Sequence, residues 1–360
     1  MISRNTAILE SLWAQGAIEV ERSPLFEVSP VGPVDFDRVE GMLLGLAIGN
    51  ALGESSEGLL PEQRKDRFGE VRDYPPNPRA RNRAVGLPMV DSQLAFWTLE
   101  QTNADGRLDP ASVAARFAKG PMLAMGEALA TFHRNFNEGR EWFRCGAPSA
   151  GNGALMRIAP VIVPHVREPS PGLWADAALC SLITHNDGAS MSASLAFVKM
   201  LWDLLTMPAA PDPNWWVETY VATARPLEPG DTYQPFNGIY KEFQGTLAEF
   251  VEEKVPTLLA QELPAAEACE AWWSGAFLLE TVPSVLYILA RHGHDLEEAI
   301  ARAVNDTWDN DTIGAIVGAA VGALHGRKAI PQRWIDGLSG RTSVDDDGRV
   351  FELIDEARKR

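Results

Sequence analysis

The chain has 360 residues and a formal net charge of −17, with 46% hydrophobic and 22% charged residues. Such a composition supports a globular protein with a sizeable core. The acidic balance excludes a general nucleic-acid binder and a protein of anionic membrane surfaces, since both need basic surface.

The three cysteines, Cys145, Cys180 and Cys269, form no Cys-x-x-Cys pair and read as buried thiols in a reducing compartment, not as a disulfide frame. The opening "MISRNTAILESLWAQG" lacks the basic-then-apolar order of a secretory signal. The longest apolar run, around 313 to 324, falls short of the roughly 20 residues that span a bilayer. The cytoplasm is the expected location.

In chain order, apolar residues recur at three- and four-residue steps in "TAILESLWAQ", "DRVEGMLLGLAIGNALG", "DSQLAFWTLEQ", "PASVAARFA", "MLAMGEALATFHRNF", "LWADAALCSLITH", "ASMSASLAFVKMLWDLL", "FQGTLAEFVEEKVPTLLAQ", "PSVLYILARH" and "DLEEAIARAV". Asp91, Asp109-Pro110 and Asp295 punctuate helix starts, and "GRVFELIDEA" reads as a last helix. The spacing predicts an all-α protein. Three regions read as loop: a Pro-punctuated arm over 15–40, a locally basic stretch over 61–88, and 207–240. The expected organisation is an N-terminal extension, residues 1–37, followed by one compact domain, 38–360.

Glycines recur every fourth residue at Gly41, Gly45, Gly49 and Gly53, and again at Gly314, Gly318, Gly322 and Gly326. Each costs a helix about 1 kcal/mol relative to alanine. Close approach of two helices, here these two against each other, is the physical reason to accept that cost. Both stripes end in acid. Glu54 and Glu57 follow the first, while Asp306, Asp309 and Asp311 crowd the start of the second. One carboxylate at a helix N-terminus is ordinary capping, and the extra ones repel each other. A hard divalent cation relieves that repulsion, because Mg²⁺ and its relatives take carboxylate, hydroxyl and water oxygens.

The loop "APSAGNGALMRIAPV" frees its backbone at Gly151, Asn152 and Gly153 and is followed by a helix-like segment, as in anion-cradling loops. It reads equally as an Asn-Gly turn. It is neither a Walker loop nor a dinucleotide fingerprint. His185, ending an apolar helix, reads as a buried histidine or helix C-cap.

Taken in order, "GMLLGLAIGNALGESSE", "MVDSQLAFWTLEQ", "GNGALMRIAP", "LITHNDGA" and "DNDTIGAIVGAAVGA" resemble the ADP-ribosylglycohydrolase family over about residues 38–326. The resemblance implies an orthogonal helical domain. It also implies a cleft that holds one or two Mg²⁺ (or Mn²⁺) ions and ADP-ribose, and that cleaves the bond from the sugar's anomeric carbon to a protein side chain. It assigns Glu57, Asp91 and Asp311 to catalysis, with Glu57 as a mobile acid over the cleft. It assigns Asp91, Asp309, Asp311, Thr312 and Glu57 to metal. Gly151, Asn152, Gly153, Met156, Arg157 and His185 fall to ADP-ribose.

The implied partner is an ADP-ribosylated protein, with arginine as the favoured linkage. An immunity role against an ADP-ribosylating toxin is a further expectation, through hydrolysis and through residues 1–37 plugging the toxin's cleft; the other reading packs this arm on its own domain. Three positions depart from the family pattern. Asn50 stands where an aspartate is usual, and Met89 and Val90 replace the first two residues of a "T-D-D-T-Q" helix start. Sulfur and alkyl groups are poor partners for Mg²⁺, so the alternative is a family member that binds ADP-ribose or a partner without turnover.

Overall fold

Small residues on one face let two helices meet backbone to backbone, and this pair forms the middle of the molecule. In the computed structural model, which describes residues 3–360, helices Phe36–Glu54 and Asn310–His325 lie against each other along both glycine stripes. A Cβ on Gly45 would sit closer than 3.0 Å to the Gly318 carbonyl oxygen, and one on Gly318 would meet the Gly45 carbonyl in the same way. Gly41 pairs so with Gly322, and Gly49 with Gly314. The last contact matters for function. Gly53 abuts the Cα of Asp311, so the stripe fixes where the acidic start of the second helix stands relative to the end of the first.

Around this pair the described residues form further α-helices and one strand pair, the short antiparallel hairpin of Pro76–Asn77 with Arg83–Ala84. Helices Gly188–Thr206, Leu278–His292 and Leu296–Asp306 pack on the Asn310–His325 helix. The expected all-α architecture is observed. No helix among the described residues is long and apolar enough to cross a membrane. The three cysteines are buried and free.

Several segments differ from the sequence reading. Helix Pro61–Phe68 lies inside the expected 61–88 loop, with Pro61 in its first turn and the Gln63 side chain accepting from Leu60 N at 3.0 Å. Helix Pro213–Ala224 lies inside the 207–240 loop. Its Asp212-Pro213 start repeats the Asp109-Pro110 signal, which the surrounding prolines obscured. The segment after Asn152 is not an α-helix. It forms the 3₁₀ turns Leu155–Arg157 and Ala159–His165, because Pro160 and Pro164 each remove a backbone donor. The helix expected from residue 122 begins only at Glu127.

The N-terminal segment packs on its own protein. Ser3 caps helix Arg4–Ala14, and Asn5 Nδ2 donates to Asp176 Oδ1 at 2.7 Å and to the Leu108 carbonyl at 2.9 Å. Leu9 and Leu12 are buried. The indoles of Trp174 and Trp202 donate to the carbonyls of Val28 and Val31 at 2.7 and 2.9 Å. This is the packing that the other reading of the arm expected, with the Val28 and Val31 side chains left exposed.

Candidate active site

Four elements converge at the acidic ends of the glycine-striped pair. The first helix ends at Glu54, and the turn after it carries Glu57. Helix Val90–Asp105 begins with Met89 as N-cap and brings Asp91 in its first turn. Asp309 caps the second striped helix, and Asp311 and Thr312 lie in its first turn. The Gly151–Gly153 loop closes the group, because Asn152 Nδ2 donates to Asp309 Oδ2 at 2.6 Å and to Thr281 Oγ1 at 3.0 Å.

Asp91, Asp311 and Thr312 are almost wholly buried. Burial raises the Asp91 carboxyl to about 7, with Asp309 and Glu57 adding repulsion and the Thr312 hydroxyl opposing it. Asp311 is pushed well above the carboxylate range by burial and then by Asp91, Asp309 and Glu57. Burial also raises Asp309, against hydrogen bonds from Asn152, Thr312 and Asp311. Desolvation at the cleft mouth raises Glu57, as do Asp309 and Glu54, while Arg79 lowers it. Asp91 Oδ1 and Asp311 Oδ1 are buried without a hydrogen-bond partner. A carboxylate oxygen sealed from water and unpaired costs on the order of 1–3 kcal/mol, so these atoms call for a proton or a cation.

The donor types suit a hard cation. Among the described residues, however, no three His, Cys, Asp or Glu side chains are gathered as a ready-made metal cluster. The expected cup is thus a set of mutually raised acids with two orphaned oxygens, which must draw together around any ion.

The replaced positions are held in place. Met89 is buried and its backbone N donates to Asn50 Oδ1 at 2.9 Å, while Asn50 Nδ2 donates to Asp311 Oδ2 at 3.3 Å. Asn50 serves both neighbours at once, which an ionised aspartate in its place could not.

The residues expected at ADP-ribose separate into two groups. Gly151, Asn152 and Gly153 line the loop beside Asp309, with Asn152 N donating to the Ala276 carbonyl at 2.9 Å. His185 lies directly beneath: a Cβ on Gly153 would stand 2.8 Å from its Cε1. Burial and the nearby Arg157 lower His185 to about 3, and its Nδ1 is 2.9 Å from Thr184 Oγ1. It is therefore a neutral imidazole that shapes the loop. Met156 and Arg157 are core residues below the loop. Arg157 donates to Thr184 Oγ1 at 2.7 Å and to the Cys180 carbonyl at 3.1 Å, and stacks on Phe117. Through Thr184, Arg157 supports His185 from behind.

Other residues at the site carried no sequence signal. Thr281 bridges Asn152 and the Gly275 carbonyl. Arg79 pairs with Glu54 at 3.0 Å, and the Asn77 amide donates to the same carboxylate. Glu280, raised by burial to about 7 and near Asp309, is a further acid of the cleft wall.

The all-α fold thus brings buried carboxylates and a glycine loop together at one end of a glycine-striped helix pair. The ADP-ribosylglycohydrolase family model matches residues 32–360, and the chain belongs to that family. It is 24% identical over 314 residues to the ADP-ribosyl-[dinitrogen reductase] glycohydrolase of Rhodospirillum rubrum, covering 85% of this chain and 92% of that one. It is 25% identical over 321 residues to the ADP-ribosylarginine hydrolase Tri1 of Pseudomonas putida, covering 83% and 74% respectively. A solved structure described as an ADP-ribosylglycohydrolase-related protein complex aligns with a TM-score of 0.65 at 28% identity, over 89% of this chain and 96% of that one.

Proposed function

We propose that the protein removes ADP-ribose from arginine side chains of modified proteins, with Mg²⁺ or Mn²⁺ held by Asp91, Asp309, Asp311 and Thr312 and with Glu57 acting from the mouth of the cleft. The observation that carries this reading is the pair of buried, unpartnered oxygens, Asp91 Oδ1 and Asp311 Oδ1, in a cluster that the Gly151–Gly153 loop joins through Asn152. The family supplies the reaction class, and the arginine linkage follows the ADP-ribosylarginine hydrolases Tri1 of Pseudomonas putida and Serratia proteamaculans.

In this reading the loop, floored by neutral His185, holds the ADP-ribose so that its anomeric carbon faces the acids. Cleavage of the bond to nitrogen builds positive charge at that carbon, and nearby carboxylates stabilise it. Glu57, which stands outside this ligand set, takes a proton from the attacking water or returns one to the leaving guanidine. The hydroxyl of water ends on the sugar and its proton on the nitrogen. A bound divalent ion supplies orientation of the ribose hydroxyls and a lowered pKa for water.

The test is release of ADP-ribose from ADP-ribosylated arginine, by the native chain and Asp311→Ala, with and without Mg²⁺. Turnover that falls by about a hundredfold or more in the variant and on chelation fits the scale of a lost charge-stabilising group. Absence of turnover in every condition sinks the enzyme reading. Equal turnover after chelation and in Asp311→Ala removes the metal.

A further inference from the structure

Beside the cleft lies an arginine-lined pocket that the proposed chemistry does not use. The segment "NPRARNRAVGLP", residues 77–88, carries Arg79, Arg81 and Arg83 and no acid, in a chain of net charge −17. It forms the hairpin of Pro76–Asn77 with Arg83–Ala84, whose tip holds Arg81 and Asn82 in consecutive left-handed conformations, φ 58° and 59°. Gly86 stitches it to the C-terminal part of the chain: Gly86 N donates to the Gly337 carbonyl and Ser339 N to the Gly86 carbonyl, both at 2.9 Å. Between these segments opens a pocket of about 470 Å³, lined by the three arginines with Arg341, Ser339 and Asp347 among others.

Three observations say what this pocket accepts. Arg81 and Arg83 form no ion pair among the described residues, whereas Arg79 is paired with Glu54 and Arg341 with Asp347. Ser339 Oγ, on the pocket wall, is buried without a partner. Asp347, itself exposed, lays its carboxylate on Arg341, Oδ1 to Nε at 2.6 Å and Oδ2 to Nη2 at 3.1 Å. Its acidity is increased by Arg341 and, from a greater reach, by Arg83. The pocket already holds one carboxylate in two-pronged geometry, the form in which guanidinium recognises carboxylate best, and Arg81 and Arg83, the latter donating only its Nε to the Ala80 carbonyl at 3.3 Å, have no carboxylate of their own.

Its position tells which carboxylates come. Arg79 forms the wall nearest the cleft, donating to the Pro88 carbonyl at 2.8 Å, and Met89 next to it is tied through Asn50 to Asp311. The Gly151–Gly153 loop is tied to the other member of the acidic pair, Asp309. The arginine pocket thus borders the Asp311 side of the acidic cluster and the glycine loop its Asp309 side. With ADP-ribose in the loop, the protein that bears it must leave the cleft elsewhere. We propose that the pocket is a docking site for acidic side chains of that ADP-ribosylated protein, next to the modified residue. The identity of the partner rests on the function proposed above; the preference for carboxylate does not.

The experiment measures fluorescence anisotropy of a labelled, unmodified Glu-rich peptide, against its Gln-for-Glu counterpart, on the native chain and on Arg81→Gln/Arg83→Gln. Both arginines are exposed, so the double variant keeps its fold, checked by its melting curve. Binding of the Glu peptide alone, weakened about tenfold in the variant and by added salt, is expected for two surface charges. No binding to the native chain, or equal binding by the variant, overturns the proposal. Inorganic phosphate displacing the peptide at lower concentration than free glutamate marks a phosphate site and overturns it too. A second arm compares hydrolysis of ADP-ribosylarginine peptides flanked by Glu or by Gln. The variant should lose about tenfold in kcat/KM on the Glu-flanked peptide only, and be unchanged on free ADP-ribosylarginine. Should the native chain hydrolyse none of these, the function proposed above fails while the anisotropy still decides the pocket.

Discussion

Asn50 and Asp311 meet across the end of the glycine-striped pair, with Asn50 Nδ2 donating to Asp311 Oδ2 at 3.3 Å while Asn50 Oδ1 receives the backbone N–H of Met89. The amide satisfies a donor and an acceptor that a carboxylate cannot satisfy together. Asn50→Asp places another acid among groups that already raise one another. In the absence of divalent ions it should cost about 1–3 kcal/mol of stability at neutral pH. Added Mg²⁺ should recover more stability in the variant than in the native chain. Melting curves with Mg²⁺ and with chelator check both; equal melting temperatures without metal would show that the donor at position 50 is dispensable.

The helix pair that sets this meeting tolerates no side chain along its seam. Gly45→Ala would drive a Cβ against the Gly318 carbonyl, which is backbone and cannot rotate away. The helices must separate, opening the packing on both sides, so the loss is expected at about 3 kcal/mol or more. Urea denaturation measures it. Because Gly53 stands against Asp311 at the end of the same seam, activity per folded molecule should fall as well, whereas Gly58→Ala, at a turn with open space around it, should leave the seam intact.

At the other wall, the Gly153 position leaves only 2.8 Å between a built Cβ and His185 Cε1. The ring is pinned by Thr184, itself held by Arg157. Gly153→Ala therefore shifts the loop rather than the histidine. Overpacking of about 1–3 kcal/mol should appear as at least about tenfold weaker binding of ADP-ribose, one factor of ten for each 1.4 kcal/mol. Calorimetric titration of native and variant proteins with ADP-ribose gives the comparison, and an unchanged dissociation constant would place the ligand elsewhere.

The features most legible in the sequence are those whose physics is local or periodic. Four-residue glycine spacing foretold the seam, since nothing else pays for so many glycines in a helix, and three- and four-residue apolar steps foretold most helices. Proline misled in both directions. It hid the Pro213–Ala224 helix, where it occupies a first turn, and it broke the expected helix after Asn152 into 3₁₀ turns. The acidic residues could be named from their crowding at Asp309 and Asp311. Their burial, and the orphaned oxygens on Asp91 and Asp311, depend on long-range packing that no window of sequence contains. Arg157 shows the same limit. The family resemblance puts it at ADP-ribose, yet its guanidinium is engaged by Thr184 and Cys180.

The buried acids also set how stability changes with pH. Asp91 titrates near 7 in the folded chain and near 3.9 when unfolded, so between these values the folded state binds more protons than the unfolded one. Stability is then fully present below about pH 4 as far as this group is concerned, and is lost as pH rises through 7. The slope reaches at most about 1.4 kcal/mol per pH unit for each such group. Asp311 and Asp309, raised in the same direction, extend the loss. Urea midpoints without metal should therefore fall between pH 5 and pH 8, less steeply in Asp91→Asn, which has no proton to lose. Mg²⁺ should flatten the native profile at the high-pH end by replacing protons with an ion. A native profile without metal that rises over this range would show that the cluster stays ionised in the fold, and that its oxygens are satisfied by something other than a proton.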